Sequence, residues 1–372
     1  MIDTVCLTLP LNKLVLLDEN NKKVPQWDLQ SKTENYSKYV RNPSKTDKES
    51  GLYFPRLTIY SRRFGNQPSV KIEFSVPKLI FNNNLNELTN ADFDDVIDAL
   101  QDRLKRMGVR VFKKVLQNAP ITTVHFSKNI LLSDGYTSSY VISELKKIDL
   151  RKSFDFAQKR FINNGQSLQA HTRSHELVIY DKVADLGKTK KRAIDKDQTA
   201  TQLSLFDTIK SKDTLVEVLR IEVRLCNKRK INSVFKQLNL TQNPTFLEVF
   251  DAKVGTAVVG QYWESILKAN QLALFTIDRS AKQLLREMCR GDPNLKPKQA
   301  IYQVGLALLA KDGNGLTELR SIFDNRTNDR NWYRIKNDFK EISSNTSPQN
   351  IRSWVNQIEK QIKNYSPIKL TS

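Results

Sequence analysis

The clearest alternation of apolar and polar positions runs from Val216 to Leu225, VEVLRIEVRL, where Leu219, Ile221, Val223 and Leu225 share one face and Arg220, Glu222 and Arg224 the other. Such a period of two predicts a strand with one buried and one polar side. LVIYDK, beginning at Leu177, repeats it: Glu176, Val178 and Tyr180 fall on one face, His175, Leu177 and Ile179 on the other. Residues 121 to 131 predict a third strand, with Val124 and Phe126 opposite Thr123, His125 and Ser127. From Leu52 to Leu79, two alternating runs flank Gly65, Asn66, Gln67 and Pro68, the pattern of a β-hairpin. Its second strand sets Val70, Ile72 and Phe74 against Lys71, Glu73 and Ser75. Residues 3 to 17 add one or two short strands, and the polar stretch Asp18 to Ser50 reads as a long loop.

The period then changes. Phe93, Val96, Ile97, Leu100, Leu104 and Met107 recur at helical spacing, after a capping Thr89 or Asn90 and before Gly108. A second helix is expected over Ser138 to Lys147, and a basic loop around Lys188 to Gln198, exposed or folded over a ligand. Beyond about residue 230 the strands stop. Apolar residues recur at helical spacing through Ile266, Leu284 to Met288, Ala300 to Leu309 and Trp332 to Ile342, with a last helix around Ile351 to Ile362. The expected organisation is therefore α+β: an antiparallel-sheet domain over residues 1–240 and an all-helical domain over 241–372.

Charge adds a partner class. The 372 residues carry 60 Lys and Arg against 40 Asp and Glu, a net +20 spread over the whole chain, which favours a polyanionic partner. Cys6, Cys226 and Cys289 form no CxxC pair, so structural zinc and a disulfide framework are not expected. The opening MIDTVCLTLPL reads as a strand and not as a signal peptide. No window reaches 18 apolar residues, so no membrane span and a cytoplasmic location are expected.

The polar faces of the four strands carry Glu73, His125, Tyr180 and the Arg220, Glu222, Arg224 trio. Two carboxylates and an imidazole suit Mg²⁺ or Mn²⁺, and a bound cation polarises a phosphoryl oxygen for attack by a phenol. Flanking arginines hold phosphates bidentately. Each residue also has a plainer explanation. Glu222 between two arginines is equally a rung of a cross-strand ion-pair ladder, His125 a half-buried histidine, Glu73 part of a solvated face, and Tyr180 an amphipathic residue at the core edge.

In MIDTVCLTLP, PSVKIEFSVPKL with its following helix, ITTVHFS, LVIYDKVADL and VLRIEVRL with the basic segment after it, the first 240 residues resemble the filamentous-phage gene II and gene X replication proteins and their plasmid relatives, the II/X family. The resemblance implies a rolling-circle replication initiator of the His-hydrophobic-His (HUH) endonuclease superfamily. Such an enzyme nicks one strand of origin DNA, supercoiled duplex or single strand, in the cytoplasm of a bacterial host cell, and hands a 3′ hydroxyl to the host replication machinery. It implies Tyr180 as the nucleophile linked to the 5′ phosphate, His125, Glu222 and Glu73 as metal ligands, and Arg220, Arg224 and Lys182 as DNA contacts. The paired histidines of the superfamily are reduced here to Thr123, Val124, His125. His171 and His175 are alternative ligands, and Tyr60 is a candidate second tyrosine. Short helices joined by AKDGNGLTEL within residues 297–342 include a candidate helix-turn-helix. The rival readings are a non-enzymatic origin- or operator-binding protein, and an RNA-binding module that stacks bases on Tyr53, Phe54 and Tyr60.

Overall fold

A computed structural model describes residues 1–17, 22–24, 31–33, 36–60, 68–148, 158–162, 166–186, 217–268, 272–323, 329–344 and 350–369. The strands are β1 (Ile2–Pro10), β2 (Leu14–Leu17), β3 (Lys23–Val24), β4 (Ser31–Thr33), β5 (Tyr36–Arg41), β6 (Arg56–Tyr60) and β7 (Ser69–Ser75). They are followed by β8 (Val109–Val111), β9 (Ile121–Leu131), β10 (Gln158–Ile162), β11 (Ser167–His171), β12 (His175–Asp181) and β13 (Val218–Leu225). Ten of them form one sheet in the order β10-β11-β12-β13-β9-β1-β7-β6-β5-β4. Every neighbouring pair in it is antiparallel. A three-stranded sheet, β3-β2-β8, lies apart from it.

The alternation in β7, β9, β12 and β13 does what the sequence predicts. Val70, Ile72, Phe74, Val124, Phe126, Leu177, Ile179, Leu219, Ile221 and Val223 are all buried on one face of the sheet. Helix Phe93–Arg106 supplies part of the cover with Val96, Ile97, Leu100 and Leu104. It follows a short 3₁₀ turn that opens on a capping box between Thr89 and Asp92, and it ends at Gly108 with φ +77°, a conformation that favours glycine. The hairpin and the helix over Ser138–Lys146 also form as expected. The turn at Gly65 to Gln67 and the basic loop at Lys188 to Gln198 lie outside the described residues.

Asp18 to Ser50 differs from the loop expected. Its described parts include β3, β4, β5 and a helix over Lys45–Glu49. β5 pairs with β6 and extends the sheet outward, with Tyr39 and Val40 half-buried. An outer strand is held by backbone pairing and needs little apolar alternation, so its polar composition hides it.

After β13 the described elements are helical apart from two isolated bridges. They stay in touch with the sheet: Phe246 lies edge-on to Phe74 at 5.8 Å and to Phe93 at 5.6 Å, and Phe235 lies 6.4 Å from Phe126. Helices Ala252–Lys268 and Ser353–Lys363 pack on β9. The segment after the last helix returns to the same strand, where Lys128 Nζ donates to the carbonyl of Ser366 at 3.0 Å. Among the described residues no helix is long and apolar enough to cross a membrane.

Candidate catalytic and metal site

On the opposite face of the sheet, the registers bring the polar side chains of β1, β9, β13 and β12 into adjoining rows. Arg224 stands opposite both His125 and Glu176, Glu222 opposite Ser127 and Val178, and Arg220 opposite Asn129 and Tyr180. Paired residues on neighbouring antiparallel strands share a face at about 4.5–5.5 Å. A register shift between Ile2 and Thr4 then places Asp3 in the same group. Ile2 pairs with Phe126 on the buried face while Thr4 pairs with His125 on the polar one, so Asp3 is the extra residue of a β-bulge. Bulges of this kind re-aim a side chain beside functional sites.

Glu222 is the hub. Its Oε1 accepts from Arg224 Nε at 2.8 Å and lies 3.4 Å from His125 Nδ1, and its Oε2 accepts the phenolic proton of Tyr180 at 3.2 Å. Arg224 also reaches Glu176 Oε2 at 3.1 Å. Below this lies a buried layer. Arg220 donates through Nη2 to Asp3 Oδ1 at 2.6 Å and Ser127 Oγ at 2.7 Å, and through Nη1 to the carbonyl of Asn84 at 2.5 Å. Lys182, fully enclosed, donates to Asn84 Oδ1 at 2.8 Å and sits 5.7 Å over the Tyr180 ring.

These surroundings set the charges. Burial alone pushes the Glu222 carboxyl up, but the Arg224 guanidinium, the His125 ring and Arg220 together hold it well below the usual carboxylate range. Burial pushes the Tyr180 phenol well above its ordinary value of 10.0, with Glu222 adding to the shift and Arg220 opposing it. At neutral pH the pair is therefore a neutral phenol donating to a carboxylate. Burial, reinforced by Arg220, brings Lys182 down from 10.5 to about 7.

The Lys182 shift makes stability depend on pH. Below about pH 7 folded and unfolded chains both carry the ammonium, and folding must strip it of water. Between about 7 and 10.5 the unfolded chain binds a proton that the folded chain has released, so stability rises with pH. In urea unfolding, wild type is expected to gain roughly 2–4 kcal/mol on Lys182→Met between about pH 6.5 and about pH 9.5. A constant difference between the two proteins would show that Lys182 keeps its proton.

Asp3, His125 and Glu222 each offer one ligand atom, and the three atoms lie within 4.8 Å of one another. Two carboxylates and one imidazole are the hard and borderline donors that Mg²⁺ and Mn²⁺ take, so the donor set fits such an ion. The arginines leave lone pairs on both carboxylates, since an ionised carboxylate has about four acceptor sites.

The other expected site residues lie elsewhere. Glu73 faces the same side but on β7, two strands from His125, where it pairs with Lys71 at 3.3 Å. His175 is one residue out of phase with Glu176, so it is buried on the other face of the sheet, with Nδ1 3.1 Å from both Thr172 Oγ1 and Ser174 Oγ. It cannot complete this cluster. His171 is on the polar face but on β11, three strands from β9 and so about 14 Å away. Tyr60 is on β6, five strands from Tyr180, roughly 24 Å. Arg220 and Lys182 are interior residues hydrogen-bonded within the fold rather than surface phosphate contacts, and of the three expected DNA contacts only Arg224 keeps substantial exposure. Asp3, Ser127 and Asn84 were not expected in the site. The signal for Asp3 is two successive polar residues, Asp3 and Thr4, inside an otherwise alternating run.

Comparisons of the chain with family models, with curated proteins and with solved structures return no match.

Proposed function

We propose that the chain is a metal-dependent DNA nicking and closing enzyme that initiates rolling-circle replication, with Tyr180 as its nucleophile. One observation carries the reading: the Tyr180 hydroxyl hydrogen-bonds the carboxylate that Asp3 and His125 join in a three-donor cluster. A nucleophile and a cation site that share Glu222 are what attack on a phosphodiester needs. The resemblance to the II/X family and the HUH-like arrangement it implies support the reading, and so does the net charge of +20.

In the proposed reaction the phenolic oxygen attacks phosphorus, the bond to the 3′ oxygen breaks, and the proton lost by the phenol ends on that leaving oxygen, so that a 5′ phosphotyrosine and a free 3′ hydroxyl result. The phenolic proton passes towards Glu222 Oε2, which already accepts it as a hydrogen bond. A divalent cation held by Asp3, His125 and Glu222 would supply charge stabilisation at the phosphoryl oxygen. Arg224, whose side chain is 32% exposed, is the side chain placed to meet a phosphate. Arg220 acts from beneath by fixing Asp3. The 3′ hydroxyl would prime the host polymerase, and the same chemistry reversed would close the displaced strand.

A second reading has its own observation. Arg220 and Arg224 already pair with Asp3, Glu222 and Glu176, as they would in a structural polar layer under an origin- or operator-binding protein. One experiment separates the two: incubation with supercoiled DNA of the protein's own replicon, with and without Mn²⁺, followed by a denaturing gel for covalent protein–DNA adduct. A metal-dependent adduct present in wild type and absent in Tyr180→Phe is expected. Tight binding without nick or adduct would favour the binding protein.

A further inference from the structure

Helix Pro297–Lys311 is apolar nearly all round. Ala300, Val304 and Ala307 are buried beneath it, yet Ile301 is 64% exposed, Leu309 59% and Tyr302 46%. Exposed apolar residues gathered on one helix face mark a candidate contact surface. Between Ile301 and Leu309 the face carries Gly305, where an added Cβ would meet nothing within 4 Å. A helix-interior glycine costs about 1 kcal/mol against alanine. What it offers in return is close backbone approach by another helix.

The residues on either side of Gly305 match one another when the helix is reversed. Four residues before it stands Ile301 and four after it Leu309; three before it Tyr302 and three after it Leu308. Seven residues before it stands Lys298 and seven after it Asp312, both exposed. Positions 298, 301, 302, 305, 308, 309 and 312 recur at three- and four-residue spacing on one side of the helix, and the set maps onto itself under that reversal. We propose that this face docks against the same face of a second copy of the chain, as an antiparallel helix pair crossing at Gly305. Ile301 of each copy then meets Leu309 of the other, and two Lys298–Asp312 ion pairs close the ends. The contact is isologous, as a two-fold dimer requires. A random partner would need no such symmetry in the helix's own sequence. A single helix pair falls short of the roughly 800 Å² per partner of a standard interface, so association in the micromolar range is expected. The inference does not depend on the role of Tyr180.

Sedimentation velocity of the full chain over roughly 1–100 µM tests it. A reversible monomer–dimer equilibrium is expected, weakened on the order of a hundredfold by Ile301→Glu. Lys298→Asp and Asp312→Lys are each expected to weaken it about tenfold by setting like charges together, and the double swap to restore it. In a Cys289→Ser background, which removes the exposed native thiol, Gly305→Cys is expected to give a disulfide-linked dimer on mild oxidation. All these positions are exposed or open to solvent, so the variants are expected to fold, which circular dichroism checks. A monomer at every concentration overturns the proposal. So does a dimer indifferent to Ile301→Glu, or a double charge swap no better than the single ones, either of which would assign the face to another partner.

Discussion

Asp3→Ala is expected to destabilise the protein by about 3–5 kcal/mol, a large share of the stability of an ordinary domain. The cost does not come from a strong ion pair. Arg220 is 2% exposed, and Asp3 is the carboxylate nearest its guanidinium, at 2.6 Å. Removing it leaves a buried cation whose remaining acceptors among the described residues are Ser127 Oγ and the Asn84 carbonyl. The neighbouring Lys182 lies in the same layer, so the uncompensated charge raises the cost of that ammonium as well. Urea unfolding near neutral pH measures the loss. The double variant Asp3→Leu with Arg220→Met distinguishes the cause, because replacing both partners of a buried pair by apolar side chains is often neutral. Recovery of most of the loss is expected. A double variant as unstable as Asp3→Ala would mean that the pair itself, and not the orphaned arginine, holds the strands together.

What the sequence makes legible follows from how local each signal is. A strand half-buried in a sheet must alternate, so β7, β9, β12 and β13 announce both their existence and their polar faces, and His125, Tyr180 and Glu222 are each placed on a polar face, but their meeting is set by strand order and register. Alternation says which side a residue faces but not how far along the sheet its strand lies. Glu73 shares the face of His125 yet belongs to a strand beyond β1. Strand order depends on pairings between residues distant in the chain, such as Cys6 with both Glu73 and Thr123, which no local pattern encodes. Asp3 is hidden for another reason, since a bulge breaks the period-two rule on which the assignment of faces rests. The burial of Arg220 and Lys182 is hidden too. Each needs the Asn84 loop laid over it, through the side chain of Asn84 in one case and its carbonyl in the other. An arginine on a polar face reads as solvated until its cover is known.

Glu222→Gln is expected to reduce adduct formation by about 10²–10⁴, the range of a positioned proton acceptor, and to weaken Mn²⁺ binding in the absence of DNA. The substitution keeps the shape of the side chain and removes only its charge, and Arg224 retains Glu176 as a partner at 3.1 Å, so the fold is expected to survive. The reading has a readout besides activity. The Glu222 carboxylate helps to hold the Tyr180 phenol above its ordinary value, whereas Arg220 pulls it down. Without the carboxylate the arginine acts with less opposition, and the phenol is expected to ionise at lower pH, visible as an ultraviolet difference against Tyr180→Phe. Loss of adduct together with a lowered phenol titration places Glu222 at the nucleophile. Full adduct formation by Glu222→Gln would remove it from the reaction, and an unchanged phenol titration would break the link between Glu222 and Tyr180 on which the proposed chemistry rests.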